Sequence, residues 1–295
     1  MSFILAAPAS GAESLTSVSV VDDRGRQVNL AKPAVRVISL APNTTELVFA
    51  IGAGATLVAV TEFSDYPSAA RLLPSVGGIN GLDLERIVAL HPDLVVGWAS
   101  GNSRTELDAL EKAGIAVFES DPSTVLAISS NLTRLGELTG HLTEGEAAAS
   151  ALVLAFDEIT RRENGKPPVT VFYQVWDPPL VTLGGPQLIT SVISACGGKN
   201  IFGDLSALAP TVDPEAVIAR HPDVIVTEPS QSEEVEKTWL NRAQGDSRWH
   251  ARVTGIDPDL LIRGGPRIVE GTRALCAALD ASREEATRRS AKTRQ

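Results

Sequence analysis

Asp83–Val96 reads DLERIVALHPDLVV, and 130 positions later Asp213–Val226 reads DPEAVIARHPDVIV. Seven positions are identical in the two stretches, and four more are Ile, Leu or Val in both. Each copy opens Asp-x-Glu with apolar residues at helical spacing, turns at His-Pro-Asp and closes in an aliphatic run. Each therefore predicts a helix, a turn and a buried strand. The spacing is too long for a solenoid, whose units run to ~20–50 residues. It predicts two similar lobes that carry the same unit, with a cleft between them.

The flanking sequence extends this reading. Residues 17–30, SVSVVDDRGRQVNL, alternate about a DDRG turn and predict a β-hairpin. RVISL at 36–40 is a strand, followed by a helix capped by Asn43 or Thr44 that runs through Ile51 to Gly52. Further strands at 57–60 and 115–119 and helices at 104–113 and 123–139 complete the first lobe. In the second lobe, strands at 169–173, 223–227 and 252–255 alternate with helices at 187–196, 214–220, 233–243 and 266–279. Between the lobes, TEGEAAASALVLAFDEITRREN (143–164) predicts one helix of about six turns with a Thr143/Glu146 capping box. The expected class is α/β, with two Rossmann-like lobes joined by a long rigid helix and a ligand cleft between them. Expected boundaries are a first lobe at 16–142, the connecting helix at 143–166, a second lobe at 167–282 and a flexible tail at 283–295. Residues 1–15 are either a secretory-signal remnant or a disordered chain end.

Apolar residues make up 43% and charged residues 21%, enough to build a sizeable core. The net charge of −10 opposes binding to nucleic acid or an anionic membrane, both of which need basic surface. No stretch approaches the ~18–20 apolar residues of a membrane span. The two cysteines, Cys196 and Cys276, are a disulfide in an exported protein or two buried thiols in the cytosol.

In an open α/β sheet, ligands bind beyond the carboxyl ends of the strands. The helix before each repeated strand runs antiparallel to it, so Asp83, Glu85 and Trp98 share that edge with Asp213, Glu215 and Glu228. His91 and His221 fall at the opposite edge, where a structural turn explains them better than a metal. No metal site is expected, since His141 and His250 are isolated and zinc needs several converging ligands. The ligand edge of the first lobe also offers Asn43, Phe63, Ser64, Asp65, Tyr66, Ile79, Asn80, Ser100 and Asn102. That of the second offers Gln174, Trp176, Asp177, Ala209, Asp259 and Arg263. With only four tryptophans in the chain, Trp98 and Trp176, one per lobe, favour a planar or bulky apolar ligand. Asp259 and Arg263 either bond its polar rim or pair with each other. No nucleophile elbow, P-loop, zincin or dinucleotide motif is present, and no catalytic residue is assigned.

Several segments together resemble the cobalamin-binding proteins of bacterial ABC importers: RVISLAPNTTELVFAIGAG, SDYP, LDLERIVALHPDLVVGWASGN, SACGGKNIF and RGGPRI. The likeness runs from about Arg36 to Leu279, within a wider family of ferric-siderophore and haem carriers. It implies a two-lobed, non-enzymatic, monomeric carrier of a corrinoid, with no catalytic cofactor. The carrier would be periplasmic, or membrane-anchored in a Gram-positive host. Implied ligand contacts are Asn43, Phe63, Trp98, Asp259, Arg263 and the loop at Val175–Trp176; the edge residues Ser64, Tyr66 and Asn102 complete the expected set. The resemblance also implies a Cys196–Cys276 disulfide and docking to an inner-membrane permease dimer through Glu85 and Glu215. Ile79 and Ala209 stand where such binders carry tryptophan. Haem, with Tyr66 as iron ligand, or a ferric siderophore is the alternative cargo, and a two-lobed cofactor-dependent enzyme is the more distant one.

Overall fold

The computed structural model describes residues 17–293. The segment 1–15, read as a signal remnant or disordered end, lies outside the described residues. The chain opens with an antiparallel hairpin, β1 (Val18–Val21) and β2 (Gln27–Leu30), whose turn is held by Asp22 accepting the N–H groups of Arg24 and Arg26 at 2.9 Å. The first lobe continues through β3 (Val37–Ser39), α1 (Pro42–Ala50), β4 (Leu57–Val60), a minimal hairpin of β5 (Gly77–Gly78) and β6 (Gly81–Leu82), α2 (Leu84–Ala89), β7 (Leu94–Trp98), α3 (Arg104–Lys112), β8 (Val117–Ser120) and α4 (Val125–Thr139). After α5 (Leu142–Glu163), the second lobe comprises β9 (Val169–Tyr173), α6 (Leu188–Ala195), β10 (Gly198–Asn200), α7 (Pro214–Ala219), β11 (Val224–Thr227), α8 (Ser232–Arg242), β12 (Arg252–Gly255) and α9 (Ile268–Thr293).

The main sheets are parallel and ordered β4-β3-β7-β8 and β10-β9-β11-β12, the same 2-1-3-4 topology in both lobes. The repeated stretch supplies the third strand and its preceding helix each time, α2–β7 and α7–β11. Its His-Pro-Asp turn works identically in the two lobes. His91 and His221 take left-handed backbone angles, φ 45° and 43°, a region His tolerates better than β-branched residues do. The turn then aims an aspartate at the amino end of the adjacent strand. Asp93 accepts the N–H groups of Val35 and Arg36 at 2.9 Å, and Asp223 accepts the N–H and Oγ1–H of Thr170 at 2.7 Å. The repeated histidines are thus turn residues on the edge away from the cleft.

Helix α5 covers most of the segment expected to connect the lobes, ending at Glu163, but its start differs. His141 is the N-cap and Thr143 lies inside the helix, so the Thr143/Glu146 capping box does not form. The cause is α4, which ends on left-handed Gly140 and leads directly into α5 as a helical hairpin. Helix α1 likewise begins at Pro42, a residue whose fixed φ suits a first helical position, rather than after an Asn43 or Thr44 cap. One apolar cluster runs from Val37 and Leu47 through Leu152 and Ile159 of α5 to Val171 and Leu275. Both lobes are therefore packed on one continuous core, beside the smaller outer clusters of each sheet.

The segment expected as a flexible tail from 283 continues α9 to Thr293. Arg283 anchors it by donating to the carbonyls of Pro167 and Cys196, each at 2.8 Å, and Arg289 pairs with Glu285 one turn away. Cys196 and Cys276 form a disulfide that ties the end of α6 to α9. Among the described residues no helix is long and apolar enough to cross a membrane.

Candidate functional site

The carboxyl ends of β3, β4 and β7 open into a depression of about 580 Å³, within the range of small-molecule sites. Phe63, Ile79 and Trp98 form its apolar wall, and Phe63 and Ile79 are 73% and 92% exposed. Trp98 ends β7 and is positioned by two local devices. Its indole N–H donates to Asp121 at 3.2 Å, and Gly101 leaves room for the ring, since a Cβ there would sit 1.9 Å from it. The Trp-x-x-Gly-Asn spacing is completed by Asn102, which accepts the Trp98 N–H at 2.7 Å and donates to the Leu40 carbonyl at 3.0 Å. Thr61 also lines this wall, and its buried hydroxyl makes no hydrogen bond among the described residues. A second hollow, of about 450 Å³ between Pro167 and α9, lies behind the second lobe and away from the strand carboxyl ends.

On the second lobe, Val175 and Trp176 follow β9 at its carboxyl end. Trp176 is 58% exposed, and its N–H donates to the Pro178 carbonyl at 2.8 Å. Leu208 and Ile262 are also exposed on loops of this lobe, and Ala209 sits beside Leu208.

The two lobes meet in an ionic cluster centred on Glu46 of α1. Arg267 grips Glu46 with two hydrogen bonds, Nε–Oε2 at 2.9 Å and Nη2–Oε1 at 2.5 Å. Arg263 reaches Glu46 at 3.2 Å, Asp65 at 2.7 Å and Asp259 at 2.6 Å. Arg267 also stacks over Tyr66, its guanidinium carbon 4.1 Å from the ring centroid. Burial pushes the Asp65 carboxyl up, but the Arg263 hydrogen bond and charge more than offset this and hold it below the ordinary aspartate range. Burial likewise works against the Arg263 cation, and its carboxylate partners restore it. Asp259 and Arg263, open in the sequence between bonding a ligand and pairing, do pair, but within this larger group. Glu46 and Arg267 were not foreseen. The available signal was a glutamate inside the apolar run of α1, which needs a buried partner, and the two arginines of RGGPR supply it.

Three other residues of the expected ligand edge, Ser64, Gln174 and Asp177, bond to partners within the protein. Ser64 is buried and accepts from Thr45 Oγ1 at 3.1 Å, within a chain of hydroxyls that includes Ser39 and Thr44. Gln174 is buried and accepts the Trp239 N–H at 2.7 Å, and Asp177 pairs with Arg242 at 2.6 Å. Asn43 is buried on the first turn of α1, its side chain without a hydrogen bond among the described residues. Glu85 and Glu215 are exposed in the first turns of α2 and α7, and neither joins an ion pair among the described residues.

The family described as Periplasmic binding protein matches residues 37–249. A protein named Vitamin B12-binding protein from Photorhabdus laumondii is 36% identical over 248 residues, 83% of this chain and 88% of that protein. The solved structure of the periplasmic vitamin B12 binding protein of Vibrio cholerae is similar with a TM-score of 0.76 at 32% identity, covering 85% of this chain and 98% of that one. A periplasmic heme-binding protein from Roseiflexus is similar with a TM-score of 0.71 at 25% identity, covering 84% and 98%.

Proposed function

This chain belongs to the periplasmic binding protein family, and from that premise we propose that it captures cobalamin or a related corrinoid between its lobes and delivers it to an ABC importer. It is a solute-binding protein and not an enzyme. The observation that carries the ligand reading is the exposed aromatic wall of Trp98 and Phe63 at the carboxyl ends of the first sheet, with Trp176 exposed just after β9 of the second. Flat apolar surface of that extent suits a large ring system, at roughly 25 cal/mol per Å² of apolar area buried, less ordering costs.

In this reading Trp98, Phe63 and Trp176 hold the macrocycle, with Ile79 beside them. Asn43, Asp65 and Asp259 offer polar contacts to its rim. Arg263 orients the acids instead of meeting the ligand freely, while Ser64 and Asn102 hold the loops that carry the walls. Glu85 and Glu215 present matching acids to the two halves of a permease dimer at the inner membrane, and the carrier works in the periplasm as a monomer.

Haem is the second reading, favoured by one observation: Tyr66 is 44% exposed and its hydroxyl makes no hydrogen bond among the described residues. Titration calorimetry with cobalamin, cobinamide, haemin and a ferric siderophore tests both. Heat from the corrinoids alone is the expected result. A flat corrinoid trace beside a haemin signal would overturn the corrinoid reading in favour of haem.

A further inference from the structure

The balance of charge at the cleft distinguishes ligands of the same size. The first-lobe depression is lined by two carboxylates, Glu62 and Glu106, and by no Lys, Arg or His. The arginines of the neighbouring ionic cluster are each committed to an acid. Arg267 is bound to Glu46, Arg263 to Glu46, Asp65 and Asp259, and Arg71 lies 3.9 Å from Asp65. Of the carboxylates that line the depression, neither Glu62 nor Glu106 joins an ion pair among the described residues. Glu62 is exposed, and Asp259 keeps one oxygen free after bonding Arg263.

From this we infer that the cleft selects a macrocycle whose rim is made of neutral primary amides and rejects one whose rim carries carboxylates. The inference rests on the corrinoid reading and deepens it. A corrin bears acetamide and propionamide side chains, whose N–H groups donate to the free oxygens of Asp259 and Glu62. A porphyrin such as haem bears propionates, which would meet like charges at a wall that carries no Lys, Arg or His. Placing like charges opposite one another in a closed cleft opposes binding strongly, whereas an amide donor to a carboxylate makes a charge-assisted hydrogen bond. The aromatic walls are indifferent to this difference, so the acids decide it.

The test uses ligands that differ only at the rim. Calorimetry of the full chain compares cobalamin with a cobalamin monocarboxylic acid, in which one side-chain amide has been hydrolysed, and haemin with its bis-amide. The expected result is that each carboxylate form binds at least about tenfold more weakly than its amide partner. The gap should narrow at high salt, because ~1 M salt shortens the screening length to ~3 Å. Glu62→Gln and Asp259→Asn should narrow it at low salt as well. Cobalamin and its monocarboxylic acid binding equally would overturn the inference while leaving the corrinoid reading in place. No heat from either corrinoid would overturn the corrinoid reading itself, and the inference with it.

Discussion

Arg267 and Glu46 join the second lobe to the first through a two-pronged contact in which Glu46 is almost wholly buried. Arg263 extends the pair to the Phe63–Tyr66 loop through Asp65. The same cations that hold the lobes together therefore also set the position of the loop that carries Phe63.

Removing one partner of a buried pair leaves an uncompensated charge. Glu46→Gln is expected to destabilise the protein by about 3–5 kcal/mol, because it strands Arg267 and part of the Arg263 contact. The double variant Glu46→Leu with Arg267→Met should cost less than either single change. Urea denaturation of Glu46→Gln, of Glu46→Leu and Arg267→Met singly, and of the double variant checks this, and additive losses would show that the two side chains are not coupled.

Trp98→Ala should weaken corrinoid binding by about tenfold or more, equivalent to ~1.4 kcal/mol. Gly101→Val should do much the same without touching an aromatic residue, since its side chain would displace the indole from its place. Titration calorimetry beside thermal melting separates lost affinity from lost fold. Unchanged affinity in Gly101→Val would mean that the indole does not meet the ligand.

The repeated unit could be read in advance because its determinants are local: helical spacing, a left-handed His and a strand that follows at once. Asp93 and Asp223 bond the neighbouring strand only because both lobes share one topology, but the turn itself was legible. The polar loop residues were harder. Ser64, Asn102 and Gln174 look alike in sequence whether they face a ligand or the rest of the chain, and each bonds a partner within the protein. Continuation of α9 past 283 was hidden for a similar reason, since Arg283 finds its acceptors on Pro167 and Cys196, far away in sequence.

Cys196 and Cys276 are separated by 80 residues, and their bond closes a long loop within the second lobe. Chain-entropy estimates place such a crosslink at ~2–5 kcal/mol. Reduction should lower the melting temperature, and intact mass of the native protein should be two hydrogens below the fully reduced value. Native protein with two alkylatable thiols would contradict the bond.

Stability should also depend on acid pH. Burial raises the Asp223 carboxyl, but bonds from Thr170 and His250 more than offset it, and Asp280 is held low in the same way by Lys166 and Arg283. Their folded-state pKa values lie below the ordinary ~3.9 of an unfolded aspartate. The stability they contribute is therefore fully present above about pH 4 and is lost as pH falls through the lowered folded values. Melting temperature against pH should fall on the acid side, and less steeply in Asp223→Asn. An identical acid slope in that variant would remove Asp223 from the account.

Glu85 and Glu215 occupy the same first-turn position of α2 and α7, both exposed and both outside the ion pairs of the described residues. A carboxylate at a helix N-terminus is worth ~0.3–1 kcal/mol on its own, which would account for either residue singly. Two copies of that carboxylate, on lobes of identical topology, also match what a two-fold permease would present as paired basic patches. Charge pairs of this kind set docking register and association rate, with strong salt dependence. Glu85→Arg with Glu215→Arg is therefore expected to leave cobalamin affinity unchanged and to abolish delivery in vesicles reconstituted with the transporter. A single reversal should give an intermediate rate, since one lobe would still be matched. Full uptake with the double variant would reduce both glutamates to helix-end charges.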